Sequence, residues 1–309
     1  MSTTQIAARP VPITSTSSAS VWMRAHPLVA YFTLAFAGTW LLDLPMVLGK
    51  NGLGLLPYSV PMVAYIILFI LGSFAGPTLA AILVTNAVDG KAGIGRFFRR
   101  YVQWRVGPLP YLLVLFAFPI LFAVAASIAL GGVPLAGISA NAMSFFTQYL
   151  PALLIFPALI TWGEEPGWRG FALTRLQERY HPLVAGLVVG FLHGLWHLPI
   201  YLLVDGPVAS GPFDLVRFAT NVSAIMAITI IWAWIFNNAR GSILIAVLIH
   251  ASLNASQSWM ATLIPNYPKA AGEVAYGIYV VAALALILIT KGRLGYPSSH
   301  PDQTGEKIQ

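Results

Sequence analysis

Two adjacent glutamates, Glu164 and Glu165, are the first group of residues in this chain that could do chemistry, and they lie at the end of a long apolar stretch. Arg169 follows Glu165 by one helical turn, so the two side chains can pair on a helix, with the glutamate in the favourable N-terminal place. Two neighbouring carboxylates in a low dielectric do not both ionise easily, so one of them is expected to act as a base. The alternative is an interfacial acid pair with a snorkelling arginine.

A second group of polar residues lies in the apolar segment 191–199, where His193 and His197 fall on one helical face. Their spacing matches the two ligands of a His-Glu-x-x-His zinc helix, but Gly194 stands in the place of the glutamate. Any catalytic carboxylate must therefore come from another helix. The alternative is that these histidines only form hydrogen bonds between helices.

A third group consists of His250 and Asn254, which also share a helical face. An imidazole and a carboxamide one turn apart can both donate hydrogen bonds to a developing oxyanion, although bonding between helices is again the alternative. Together, the three groups predict a site for water-activated acyl transfer. The sequence has no cysteine and no serine in a nucleophile elbow, which disfavours covalent catalysis.

The segments that carry these residues are unusually poor in charge. Only 9% of the 309 residues are charged, against roughly 25% in a typical soluble domain. The stretch 106–163 contains no Asp, Glu, Lys or Arg. About 20 apolar residues cross a bilayer as a helix, so this stretch and its neighbours hold several spans. The sequence therefore predicts an all-α fold, a polytopic transmembrane helical bundle.

The apolar runs and their Gly, Pro and charge punctuation predict about eight spans and three regions of the chain. Residues 1–26 are expected to form a disordered N-terminal tail, 27–291 the membrane domain and 292–309 a cytoplasmic C-terminal tail. The predicted spans are 28–48, 60–87, 109–131, 143–163, 183–204, 217–237, 241–263 and 274–290.

The positive charges predict the orientation of the chain in the cell membrane. With the N-terminus inside, only Lys50, Arg217 and Lys269 of the 17 lysines and arginines fall on the outer side. The positive-inside rule then places both termini of this multi-pass protein in the cytoplasm. The same bias explains the formal charge of +7, so the basic composition does not indicate a nucleic-acid partner.

The three motifs, in this order and spacing, resemble those of the CPBP family of intramembrane proteases. That family includes the type II CAAX prenyl endopeptidases and the bacteriocin-processing and self-immunity proteins. The residues Glu-Glu-Pro-Gly-Trp-Arg-Gly-Phe at 164–171 resemble its first motif, and Leu-Trp-His-Leu-Pro at 195–199 resembles its second. The similarity covers the motif core, about 140–260, whereas the flanking spans match only in hydrophobicity and number.

The resemblance implies an endopeptidase that acts on a peptide or protein, with a lipid-modified substrate as one option and membrane lipids as its surroundings. It implies that Glu164 and His197 activate a water molecule and that His250 and Asn254 hold the oxyanion.

The resemblance also implies that Glu165 and Arg169 organise the site or the substrate terminus. The chain departs from the family pattern in one place, because His193 stands where the second motif usually has Phe. We expect no metal cofactor, and the alternative is a zinc ion held by His193, His197 and His250.

A non-catalytic membrane protein on the same fold is the competing interpretation, either an immunity factor, a scaffold or a transporter. A transporter would usually show an internal repeat, which this sequence lacks. A degenerate immunity protein would be expected to lose polar motif residues, yet all three motifs retain theirs.

Overall fold

The computed structural model describes residues 18–131, 133–204, 211–264 and 268–297. Within these ranges the chain forms eleven helices and no strand. They are α1 (Ser18–Ala25), α2 (Pro27–Leu48), α3 (Met62–Val102), α4 (Pro108–Leu130), α5 (Val133–Ala140), α6 (Phe145–Gln177), α7 (Pro182–Trp196), α8 (Leu198–Tyr201), α9 (Leu215–Asn238), α10 (Ile243–Leu263) and α11 (Pro268–Thr290).

The predicted all-α membrane bundle is confirmed, with one span shorter than expected. Seven helices of the described chain are long and apolar enough to cross a membrane, namely α2, α3, α4, α6, α9, α10 and α11. The predicted span 183–204 is instead divided between α7 and α8. Helix α7 has 15 residues, or about 22 Å, which is less than the roughly 30 Å of a bilayer core. The interruption falls at His197, where Pro199 prevents regular continuation of the helix.

Helix α6 is longer than the predicted span 143–163, because it continues past the adjacent glutamates to Gln177. Glu164 is therefore inside a helix, about 20 Å from its C-terminal end. This length lets α6 and α7 form an antiparallel pair in which Glu164 and His193 reach the same level.

Helix α6 passes through Pro166 because a neighbouring helix replaces the missing hydrogen bond. Pro166 has no N–H to donate to the carbonyl of Trp162, and the hydroxyl of Thr78 on α3 donates to that carbonyl at 3.0 Å. The eight residues Pro166–Leu173 are wound as a π-helix, a conformation that is frequent at functional sites.

Glycines allow the helices that carry the site to pack closely. A Cβ atom on Gly190 of α7 would lie 2.7 Å from the Cα of Met226 on α9. A Cβ on Gly194 would lie 2.9 Å from the Cα of Val222. Because no side chain fits there, α7 and α9 are held backbone to backbone, as small residues permit in membrane helices.

The basic C-terminal part of α3, which follows Gly90, connects three elements of the bundle through hydrogen bonds. A break at Gly90, with φ +63°, separates this segment from the apolar part of α3. Arg100 turns inward, where its Nε donates to the carbonyl of Gly241 and its Nη1 to that of Gly170, both at 2.8 Å. These bonds join α3 to α6 and to the turn between α9 and α10.

Both predicted tails are shorter than expected in the described part of the chain. Residues 18–25 form α1, in which Nε of Arg24 donates to the carbonyl of Ala87 at 2.7 Å. At the other end Leu294 is fully buried, and Nδ2 of Asn237 donates to its carbonyl at 2.9 Å. The remainder of the predicted tails, 1–17 and 298–309, lies outside the described residues. These contacts explain why the bundle extends beyond 27–291.

Candidate functional site

A cavity of about 720 Å³ lies among α6, α7, α9 and α10, and four of the six predicted site residues line it. They are Glu164, His197, His250 and Asn254. The other two, Glu165 and Arg169, are fully buried directly behind it. The structure therefore brings together residues from three motifs that are far apart in the sequence.

The carboxylate of Glu164 has His193 as its direct partner. Oε2 of Glu164 lies 3.1 Å from Nε2 of His193, and both residues are only 2% exposed. The other ring nitrogen, Nδ1, lies 3.3 Å from Nη1 of Arg169. Because arginine can only donate, Nδ1 accepts and the proton of the neutral ring is on Nε2. His193 therefore donates to Glu164. Its ring also stacks on Trp168, with 4.6 Å between centroids.

Glu165 and Arg169 form the ion pair that their spacing predicts. Nη1 of Arg169 donates to Oε1 of Glu165 at 2.9 Å. Nη2 donates to the hydroxyl of Thr229 on α9 at 3.1 Å, and the guanidinium lies 4.4 Å from the ring centroid of Trp232. Removing one partner of a buried pair leaves an uncompensated charge, so this pair is important for the fold as well as for the site.

His250 is positioned by Glu165. Nδ1 of His250 lies 2.8 Å from Oε1 of Glu165, and its ring lies 4.8 Å from that of Trp232. Because the carboxylate accepts the Nδ1 proton, Nε2 of His250 can donate only when the ring is doubly protonated. The oxyanion role inferred from sequence therefore depends on Glu165. Asn254, one turn further along α10, is half-buried in the cavity wall.

His197 lies at the end of α7 with its tautomer defined by the backbone. Its Nδ1 lies 2.8 Å from the carbonyl oxygen of His193, which can only accept, so Nδ1 carries the proton and Nε2 keeps its lone pair. The ligand atoms of Glu164, His193 and His197 all lie within 4.8 Å of one another. A base and a carboxylate are thus close enough to share one water molecule.

The zinc alternative predicts His193, His197 and His250 as ligands, but the structure brings together a different group. Among the described residues, the group with metal-ligand geometry is Glu164, His193 and His197, and it does not include His250. Two histidines and a glutamate are a donor set used by catalytic zinc. However, ligation through Nε2 of His193 would require a proton on Nδ1, which faces the donor Arg169. The site as built therefore fits a hydrogen-bonded carboxylate better than a metal ion.

Sequence reasoning missed several contributors to the site. It treated His193 only as a possible metal ligand or a bond between helices, although its place on the face of His197 could have indicated a partner for Glu164. Thr229 and Trp232 carry no signal in the sequence that connects them to Arg169. Their contribution depends on how α9 packs against α6.

Two comparisons with known proteins bear on the class of this protein. A sequence model of the type II CAAX prenyl endopeptidase Rce1-like family matches residues 146–256, which include all six predicted site residues. This match and the one that follows confirm the resemblance of the chain to the CPBP family. CAAX prenyl protease 2 from Methanococcus maripaludis is 28% identical over 233 residues, 74% of this chain and 83% of that protein.

Proposed function

We propose that this protein is an intramembrane endopeptidase that hydrolyses a peptide bond with a water molecule activated by Glu164 and His197. The observation that carries the proposal is that the ligand atoms of Glu164, His193 and His197 lie within 4.8 Å of one another, in a cavity that Asn254 also lines. A carboxylate, an imidazole and an amide donor in one cavity are the groups that acyl transfer to water requires.

In the proposed reaction Glu164 is the general base. It takes one proton from water as the water oxygen bonds to the carbonyl carbon of the substrate. The tetrahedral intermediate then collapses, the C–N bond breaks, and Glu164 returns the proton to the leaving nitrogen. His197 accepts a hydrogen bond from the same water and orients it. His193 donates to Oε2 of Glu164, which orients the carboxylate.

The oxyanion of the intermediate is held by donors on α10. Nδ2 of Asn254 supplies one hydrogen bond, and His250 supplies a second from Nε2 when its ring is doubly protonated. The carboxylate of Glu165, 2.8 Å from Nδ1, stabilises that protonated ring, and Arg169 holds Glu165 in place. This arrangement gives Glu165 and Arg169 a positioning role.

We further propose that the reaction uses no metal. The support is the contact between Arg169 and Nδ1 of His193, which favours the tautomer with a proton where a metal would bind. Zinc held by Glu164, His193 and His197 is the alternative that a metal analysis would reveal.

The substrate class that we propose is a peptide or protein segment at the membrane. The first to test is a lipid-modified C-terminal peptide, because the matching Methanococcus protein is called CAAX prenyl protease 2. The same peptide without its lipid is the matched substrate for comparison.

The experiment is proteomics of C-terminal peptides in cells that carry the wild-type protein or Glu164→Gln at equal membrane levels. We expect a defined set of new C-termini only with the wild-type protein, and the purified protein should cleave the corresponding synthetic peptides in detergent. Identical C-terminal sets would instead favour the immunity or scaffold interpretation.

A further inference from the structure

The cavity occupies only one half of the bundle along the direction of the helices. On α6, the lining residues Phe156 and Ile160 precede Glu164. The basic residues of this region, Arg175 and Arg179, lie on the other side of Glu164, at and just after the end of α6. The cavity therefore extends from Glu164 away from these arginines.

Most of the basic residues gather at one end of the bundle, which we call the basic end. Arg100 joins the last part of α3 to α6 and to the turn between α9 and α10, through the carbonyls of Gly170 and Gly241. The chain after α11 is brought to the same end by the bond between Asn237 and the carbonyl of Leu294. Exposed cations at this end include Arg99, Arg105, Arg179, Arg240 and Arg293.

Helices α9 and α10 both lead from the basic end into the cavity. Trp232 is the last lining residue of α9, eight residues before Arg240, and His250 is the first of α10, ten residues after it. The other lining residues lie farther from the basic end, as far as Asn221 on α9 and Ser258 on α10. The described lining of these two helices is thus at the level of the reacting groups or beyond it.

Toward the basic end, helix packing closes the cavity. Trp168 and Arg169, about one turn beyond Glu164 on α6, are fully buried. A Cβ atom on Gly170 would lie 2.7 Å from Cδ1 of Ile243, so α6 contacts the first turn of α10 directly. A peptide cannot reach Glu164 from this end unless these helices separate.

Toward the opposite end, α10 presents a polar face that becomes steadily more accessible. His250 is followed at one-turn intervals by Asn254, Ser258 and Thr262. The exposure rises from 7% at His250, through the half-buried Asn254, to the exposed Ser258 and Thr262. Polar side chains within a membrane helix face water or the interior of the bundle. The mouth of the cavity is therefore polar and lies opposite the basic end.

We propose that the substrate enters this cavity from the outer side of the membrane, as an extended peptide segment that is exposed there. The proposal rests on the proposed endopeptidase function. The positive-inside rule places the basic end in the cytoplasm, so the mouth at the opposite end faces outward. This route favours segments on the outer side over cytoplasmic tails as substrates.

The shape and charge of the cavity further define the segment that fits it. The described lining contains one carboxylate, Glu164, and no lysine or arginine, which favours a segment without charged side chains. From His250 to Thr262 is about 18 Å along α10, and an extended peptide advances about 3.3 Å per residue. About five extended residues must therefore separate the cleaved bond from any bulky part of the substrate.

The first test compares right-side-out and inside-out membrane vesicles that contain the wild-type protein. The probe is a peptide that the detergent-solubilised protein cleaves, made membrane-impermeant by a sulfonated fluorophore, and Glu164→Gln vesicles give the background. We expect right-side-out vesicles to cleave the added peptide. Inside-out vesicles should stay at background until detergent is added.

The other outcomes of this comparison are informative. Cleavage by inside-out vesicles alone would mean entry from the basic end, and equal cleavage by both intact preparations would mean entry through the lipid-facing side. Either result would overturn the proposal while leaving the endopeptidase function intact. Absence of cleavage even in detergent would overturn the proposed function, and this inference with it.

The second test labels the mouth directly and does not depend on an identified substrate. The sequence has no cysteine, so Ser258→Cys can be modified alone, with Gln257→Cys as a second variant at an exposed lining position. A membrane-impermeant maleimide should modify both variants in right-side-out vesicles and abolish their cleavage relative to the unmodified variants. Leu55→Cys and Arg179→Cys are exposed controls at the two ends, and their modification should leave cleavage unchanged. Modification of Ser258→Cys only from the side that labels Arg179→Cys would overturn the proposal.

Discussion

Nε2 of His193 lies 3.1 Å from Oε2 of Glu164, and this contact joins α7 to α6 at the inner end of the cavity. The family resemblance would place a Phe at 193, which cannot make the bond. In this chain the proposed base therefore has a neutral donor that is itself held by Arg169. A continuous chain of polar contacts therefore runs from Glu164 through His193 and Arg169 to Glu165.

The first prediction concerns this donor. His193→Phe should keep the stack on Trp168 but remove the hydrogen bonds to Glu164 and Arg169. Loss of a hydrogen bond to a charged group predicts a fall in kcat of roughly ten- to hundredfold with the protein still folded. Single-turnover cleavage measures it, with His181→Phe outside the cavity as control. A wild-type kcat would show that Glu164 needs no donor.

The second prediction concerns the oxyanion. Asn254→Ala should leave peptide binding unchanged and slow the chemical step by about 10²–10³, as expected for one oxyanion donor. Binding can be measured by fluorescence anisotropy and the rate by single-turnover cleavage. If binding weakens while the chemical rate is unchanged, Asn254 contacts the substrate elsewhere.

The third prediction concerns metal. Activity should survive exhaustive chelation, and the purified protein should contain zinc well below one atom per chain by mass spectrometry. If the protein instead holds one tightly bound zinc, and His197→Ala loses both the zinc and the activity, the mechanism is that of a metalloprotease.

The fourth prediction concerns orientation. The sequence contains no cysteine, so single cysteines can be labelled without background. The positive-inside rule predicts that a membrane-impermeant maleimide labels Leu55→Cys on intact cells, and Arg179→Cys only after permeabilisation. Both positions are exposed, in the connections after α2 and after α6. The opposite pattern would invert the predicted topology.

The bundle and part of the site could be predicted because their causes are local. Charge-free runs indicate membrane helices whatever surrounds them, and the one-turn spacing of Glu165 and Arg169 is enough to predict their pairing. The length of α6 could not be predicted, because its passage through Pro166 depends on a hydroxyl from Thr78, which is 84 residues from the carbonyl that it satisfies.

The sequence places His193 and His197 on one helical face, but it could not predict which of them contacts Glu164. His193 and His197, one helical turn apart at the end of α7, both line the cavity, and which one meets the carboxylate depends on the depth at which α7 docks. That depth is determined by Gly190 and Gly194 against α9, a contact between backbones that leaves no pattern in the residues of α9 itself.

The most direct test of the account compares Glu164→Gln with Glu165→Gln in single-turnover cleavage and thermal unfolding. Glu164→Gln keeps the shape of the side chain but cannot take a proton, so the rate should fall by about 10²–10⁴ while the protein remains folded. Glu165→Gln should lower the thermal midpoint, because Arg169 loses its buried counter-charge, and should retain some turnover. Cleavage at the wild-type rate by Glu164→Gln, with a well-folded but inactive Glu165→Gln, would contradict the assignment of Glu164 as the base.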